Sequence, residues 1–278
     1  MSIMHSVLLS LFTYKFAARA IFAGTAVSLC AALIGVVLTL RRSSMLGDGL
    51  SHTAFAAVVI AAATGWSPYW ASLIITLAAA FLILRIKPGH GGDTAVAVIS
   101  VSSLAVGMLV ISQNSGFNVN MNEYLFGSIL SMSRTDVFVA IGLSVFVLAV
   151  FLLCRRVIFS MTFDEGFCKA CGVKTEFYKN LIAVLTAVIV VMGMRIVGAL
   201  LMTNLLIYPA VSSMKLLRSF KGVLICSACV SVFCFLLGIV TSCVLGTPAG
   251  AGIVVMNIIV YAVVSVFNAV SGRIHTHT

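Results

Sequence analysis

Apolar runs about as long as a bilayer is thick constrain this chain more than any other feature. Ala20–Leu40, Val137–Cys154 and Gly222–Leu245 each contain no charged residue. In lipid every backbone N–H and C=O must be satisfied within the spanning structure, and a helix achieves this with about 20 apolar residues. Such runs recur along the whole sequence, which is 62% hydrophobic and only 9% charged over 278 residues. A soluble domain needs about a quarter of its residues charged. The expected fold is therefore all-α: a polytopic integral membrane helical bundle, one transmembrane domain over residues 1–278, with no soluble domain. Any driven activity would draw its energy from a partner or a gradient.

Nine spans are predicted: Ala20–Leu40, Met45–Ala63, Tyr69–Ile86, Asp93–Ile111, Val137–Cys154, Leu181–Met194, Val197–Met214, Gly222–Leu245 and Ala251–Val270. If residues 181–214 instead form one span and a re-entrant segment, the count is eight. Residues 1–14 lack a basic leader and a small-residue cleavage site, so an interfacial helix is expected there rather than a signal peptide. Gly24, Ser28 and Ala32 recur every fourth residue and predict a helix-packing stripe.

The net charge of +10 does not point to nucleic acid. No basic tract is interleaved with aromatics to follow a phosphate backbone. Of the 17 Lys and Arg residues, 13 fall at alternate span ends: Arg41, Arg42, Arg85, Lys87, Arg155, Arg156, Lys169, Lys174, Lys179, Lys215, Arg218, Lys221 and Arg273. Positive residues stay on the cytoplasmic side. Nine spans then put the N-terminus outside and the C-terminus in the cytoplasm.

Eight cysteines are scattered, mostly in apolar runs where cysteine packs as a small hydrophobe. Cys168/Cys171 and Cys226/Cys229 have C-x-x-C spacing. The first pair lies in a polar loop and the second inside a span, so packing is the preferred reading over a four-ligand zinc site. His275 and His277 are too few for a metal tract.

Asp48 and His52 are the chemically informative pair. Four residues apart, they share one helix face. A carboxylate and an imidazole together suit a divalent transition metal. Ionisable groups inside a span are costly and mark pathways by default. An internal Asp–His pair that locks two helices together is the plainer alternative.

In the loop 155–180, Thr162-Phe163-Asp164-Glu165 has a capping-box pattern. It predicts a short helix from Thr162, with Phe163, Phe167 and Cys171 along one face and Gly172 as terminator. Such a helix could dock into a groove on a soluble partner or lie on lipid headgroups. Thr203, Asn204 and Pro209 put polar groups and a helix breaker inside one apolar segment. They fit either a cavity-lining break or a kinked packing helix. Arg195, with no acidic neighbour in sequence, would snorkel or mark a turn. Asn120–Gly127, with Tyr124 and Phe126, fits an outer docking surface, a pore mouth or an aromatic belt.

Five segments in order then carry a resemblance. They are Met45–His52, Tyr124–Leu130, Asp164–Gly172, Val197–Leu201 leading to Leu206–Ala210, and Thr247–Gly250. Together they resemble the permease subunits of bacterial metal-ion ABC importers, the zinc, manganese and iron uptake systems, with the zinc branch most similar. The resemblance covers about Phe16 to Val270. It implies a permease dimer around a pathway, two cytoplasmic ATP-binding subunits, and a periplasmic or lipid-anchored metal-binding protein. The setting would be the inner membrane. It also implies that 162–172 is the coupling helix, with Phe163, Asp164, Glu165, Phe167 and Gly172 meeting the ATPase. Asp48 and His52 would be transient metal ligands, and Asp93 would match a further family aspartate. Thr203, Asn204 and Pro209 would form pathway wall. No cofactor would be held permanently, the metal being cargo and zinc the first choice, and the subunit would not be an enzyme. Tyr208 and Val211-Ser212-Ser213 depart from the family pattern. Manganese or iron is the alternative cargo. A gradient-driven metal transporter is the rival of another class, disfavoured by only seven acidic residues.

Overall fold

The computed structural model describes residues 15–85, 92–113, 127 and 133–275. The proposed N-terminal interfacial helix, the 86–91 loop, Tyr124 and Phe126 with the rest of 114–126, residues 128–132, His277 and the Asp93 side chain lie outside the described residues. The described elements are helices α1 (Lys15–Leu40), α2 (Met45–Thr64), α3 (Pro68–Arg85), α4 (Gly92–Gln113), α5 (Arg134–Phe163), α6 (Glu165–Ala170), α7 (Thr175–Val197), α8 (Ala199–Leu216), α9 (Phe220–Leu245) and α10 (Ala249–His275). The all-helical reading holds for them. Seven are long and apolar enough to cross a membrane: α1, α2, α4, α5, α7, α9 and α10. The expected eight or nine spans thus correspond to seven such helices, while the apolar part of α3 is shorter, Trp70–Arg85.

Burial separates core helices from lipid-facing ones. The apolar windows of α1, α2 and α7 are 72%, 72% and 78% buried, against 17% for α4 and 11% for α10. The outer helices expose Leu153, Val101, Val263 and Phe267, which only an apolar solvent would tolerate in such number.

Lipid supplies no hydrophobic drive between helices, so close backbone approach must hold the core together. The Gly24–Ser28–Ala32 stripe does this against α9. A Cβ on Gly24 would overlap the Phe235 ring. Ser28 and Ser231 share a hydroxyl hydrogen bond of 2.6 Å, and Ser227 donates to the Ala32 carbonyl at 3.4 Å.

Three boundaries differ from the sequence expectation. The helix expected to end at Cys154 continues through Arg155 and Arg156 to Phe163. The short cytoplasmic helix does not start at Thr162, whose hydroxyl instead donates to the Ile158 carbonyl within α5. Asp164 is the cap, its carboxylate accepting the Phe167 N–H at 2.8 Å. Phe163 therefore belongs to α5, because a hydroxyl satisfied one turn back no longer competes for free N–H groups. Residues 181–214 are two helices joined at Gly198 alone, with φ 102°, a conformation side chains resist. Pro209 lies within α8 without ending it.

Arg195 has the partner that sequence proximity did not reveal. Its Nη1 lies 2.6 Å from Asp136 Oδ1, tying the end of α7 to the start of α5. Asp136 also completes a capping box with Ser133. Gly127 packs against the Ile196–Val197 backbone at the same end, where a Cβ would collide with it.

Candidate functional site

Two glycines set the depth of the site. The Leu206 backbone lies against Gly35 of α1, and its side chain lies against Gly47 of α2. The chain between 35 and 47 thus turns and returns to the level of the middle of α8. Asp48 follows at once, so it sits within the bundle rather than at its end. Gly49 allows Val96 of α4 to close on the opposite side.

Three helices converge on the Asp48 carboxylate. Ser100 of α4 donates to Oδ2 at 3.1 Å, and Thr203 of α8 donates to Oδ1 at 3.3 Å. His52, one turn along α2, places Nε2 3.6 Å from Oδ1. That is an electrostatic contact rather than a formed hydrogen bond. The imidazole is nearly enclosed while the Asp48 side chain remains 41% exposed. His52 Nδ1 is buried without a hydrogen-bond partner among the described residues. Two hydroxyls therefore orient a carboxylate that still has an open side, next to an imidazole nitrogen it does not fully engage. Among the described residues no third His, Cys, Asp or Glu joins them.

Of the expected wall residues, Thr203 reaches Asp48. Asn204 is its half-buried neighbour, and Pro209 is buried further along α8. Asp93 lies in the first turn of α4, two turns before Ser100, or about 10 Å along the axis. Sequence reasoning missed Ser100, since one serine among many in an apolar run carries no signal.

At the end of the bundle bearing α6, Glu165 is a hub. Its carboxylate lies 2.7 Å from Lys179, 3.1 Å from Lys169 and 3.4 Å from Arg41. Partial burial pushes this carboxyl up, but Lys179 and Lys169 outweigh it and hold the carboxyl below the usual range. The hub fixes α6 to the ends of α1 and α7. Phe167 projects from it, and Phe163 projects from the adjoining end of α5; both are largely exposed. Gly172, with φ 79°, ends the segment in a left-handed turn. The cysteines are free thiols, Cys168 buried and Cys171 exposed.

An apolar bundle with seven membrane-length helices, a half-open carboxylate held among three helices and exposed aromatics at one end, is built as a polytopic membrane protein. The comparisons with known proteins agree. The model of the ABC 3 transport family matches residues 13–268. The manganese transport system membrane protein MntC of Halalkalibacterium halodurans is 28% identical over 94% of this chain and 90% of its own length. The high-affinity zinc uptake system membrane protein ZnuB of Haemophilus influenzae is 28% identical over 89% of this chain and 95% of its own. The solved structure of PsaBC from Streptococcus pneumoniae in complex with Fab superposes with a TM-score of 0.84, at 25% identity, covering 94% of each chain. The chain belongs to the ABC 3 transport family, the family that the five sequence segments resemble.

Proposed function

We propose that this chain is the transmembrane permease subunit of an ATP-driven importer of divalent transition metal ions, with zinc as cargo. The observation that carries the reading is the half-open Asp48 carboxylate, oriented by Ser100 and Thr203 beside the His52 imidazole. Oxygen and nitrogen donors suit zinc, manganese and ferrous iron. Two ligands per chain make a weak site, and a permease needs weak binding because release is part of the cycle. A second copy across a shared pathway would add its own pair. Asp93 would attract the ion on its way, and Asn204 and Pro209 would shape the wall beside Thr203.

The subunit hydrolyses nothing itself in this scheme. Two cytoplasmic ATP-binding subunits would receive α6 and its flanks, with Phe163, Asp164, Glu165, Phe167 and Gly172 forming the coupling segment. An external binding protein, periplasmic or lipid-anchored, would deliver the ion. Residues 1–278 act as one permease domain in the inner membrane, N-terminus outside and C-terminus in the cytoplasm, following the positive-inside distribution.

Manganese is the second reading, because curated relatives of equal identity carry either metal in their names. The test is ATP-dependent uptake of zinc and manganese into vesicles holding permease, ATPase and binding protein, for wild type, Asp48→Ala and His52→Ala. Zinc uptake lost in both variants, with assembly intact, supports the proposal. Manganese uptake alone moves the cargo. Wild-type uptake in both variants rejects the site, and flux without ATP or partners rejects the importer.

A further inference from the structure

Helices α5 and α9 each pack on α1. Between them runs a groove of about 870 Å³, floored by Leu33 of α1. That is ample for a ligand-sized apolar group. Its deeper walls are apolar: Phe151 and Leu152 on α5, Ile225 and Ala228 on α9. One turn nearer the α6 end, three cations enter the lining, Arg155 and Arg156 from α5 and Lys221 from α9. Among the described residues no acidic side chain lines the groove. Among the described residues no carboxylate forms an ion pair with any of the three.

Beyond the cations the lining becomes amphipathic. Ser160 and Ser219 offer hydroxyls, and Phe159 and Phe220 stand 4.9 Å apart between centroids. Phe163 completes this cluster at 5.0 Å from Phe159. The order along the groove is therefore apolar cleft, cationic collar, then hydroxyls and aromatic rings. Aromatic rings favour the membrane–water boundary, and lysine and arginine heads reach toward it.

We infer that this groove is a binding site for an anionic phospholipid of the leaflet bordering α6. An acyl chain lies along Leu152, Ile225 and Ala228, and the phosphate meets Arg155, Arg156 and Lys221. Charge complementarity selects this occupant: a neutral lipid would leave three adjacent cations uncompensated beside an apolar cleft. Arginine side chains match phosphate oxygens in a two-pronged geometry. Basic pockets between membrane helices on one leaflet face have the chemistry that recognises acidic headgroups. The bound lipid would abut Phe159 and Phe163, so it would brace the end of α5 from which α6 departs. The site is separate from Asp48 and does not depend on the cargo.

The test is native mass spectrometry of the assembled complex in detergent, titrated with phosphatidylglycerol or phosphatidylcholine of the same chains. Wild type should retain phosphatidylglycerol and shed phosphatidylcholine. Arg155→Gln/Arg156→Gln/Lys221→Gln should bind phosphatidylglycerol on the order of 100-fold more weakly, from the usual contribution of each surface cation to acidic lipid binding. Arg155→Lys/Arg156→Lys, which keeps the charge and loses the two-pronged geometry, should bind more weakly than wild type and more tightly than the Gln variant. Ala228→Trp, which fills the tail cleft and spares every cation, should lose phosphatidylglycerol, and this variant decides the matter if the triple variant does not assemble. Equal retention of both lipids, unchanged binding in the Gln and Trp variants, or equal competition by glycerol phosphate lacking tails would overturn the inference. So would separation of the two permease copies on neutralising the collar, which would make the groove an interface between copies.

Discussion

The Thr203 hydroxyl donates to Asp48 Oδ1 at 3.3 Å, joining α8 to α2 across 155 positions of sequence. With Ser100 on the other oxygen, the carboxylate is aimed by two helices it does not belong to. Helix α8 starts just after Gly198, a one-residue joint, so a tilt of α8 would alter the carboxylate's environment without moving α2. Thr203→Val removes the donor and keeps the shape. A hydrogen bond to a charged group contributes about 1.5–3 kcal/mol, so metal uptake should fall about tenfold or more, with Thr203→Ser close to wild type. Uptake kinetics at several metal concentrations would check this. Unchanged kinetics in the valine variant would mean that Thr203 is a bystander.

Glu165 predicts a pH dependence. Its carboxyl lies below the usual range in the folded chain because Lys179 and Lys169 favour the charged form. A carboxyl depressed on folding contributes stability that is full above its unfolded value, about 4.3, and is lost as pH falls through the folded value. Melting of the detergent-solubilised protein should therefore drop below pH 5, and Glu165→Gln should flatten that drop. At neutral pH the substitution should cost about 1 kcal/mol, since partly exposed ion pairs contribute little each. Identical melting profiles for the two proteins would remove Glu165 as the hub of α6.

Much of this was legible in the sequence, for a physical reason. Apolar runs must be helices in lipid, and Asp48 with His52 needed only helical period to fall together. What escaped was long-range pairing. Arg195 looked solitary because Asp136 lies 59 positions away, and Ser100 looked like any serine in a span. The cap of α6 was misplaced by two residues. Thr162 and Asp164 both suit a cap, and only the structure has the Thr162 hydroxyl satisfied within α5.

The contact of Gly24 with Phe235 offers a test of packing apart from function. The ring occupies the space where a Cβ would stand. Gly24→Val should force Phe235 aside and cost about 1–3 kcal/mol, the usual range for overpacking a close-packed core. Adding Phe235→Leu should recover part of that loss. Thermal melts of the two single variants and the double variant would give the coupling. Strict additivity would mean that the two residues do not share the space.

Phe167 tests the coupling segment. Its ring is 65% exposed on a six-residue helix whose position Glu165 and the Asp164 cap fix from beneath. Nothing in the fold needs that ring on the surface, and an exposed aromatic on a rigid short helix is the anchor a protein groove would bury. Phe167→Asp should leave folding of the permease intact, because the side chain points away from the bundle. It should abolish co-purification of the ATPase, or preserve binding while removing stimulation of ATP hydrolysis by loaded binding protein. Loss of such an anchor typically costs 2 kcal/mol or more, about a 30-fold weaker complex. Affinity measurement between the solubilised permease and the ATPase, alongside hydrolysis rates, separates the two forms of failure. Wild-type affinity and stimulation in the aspartate variant would take the coupling role away from α6.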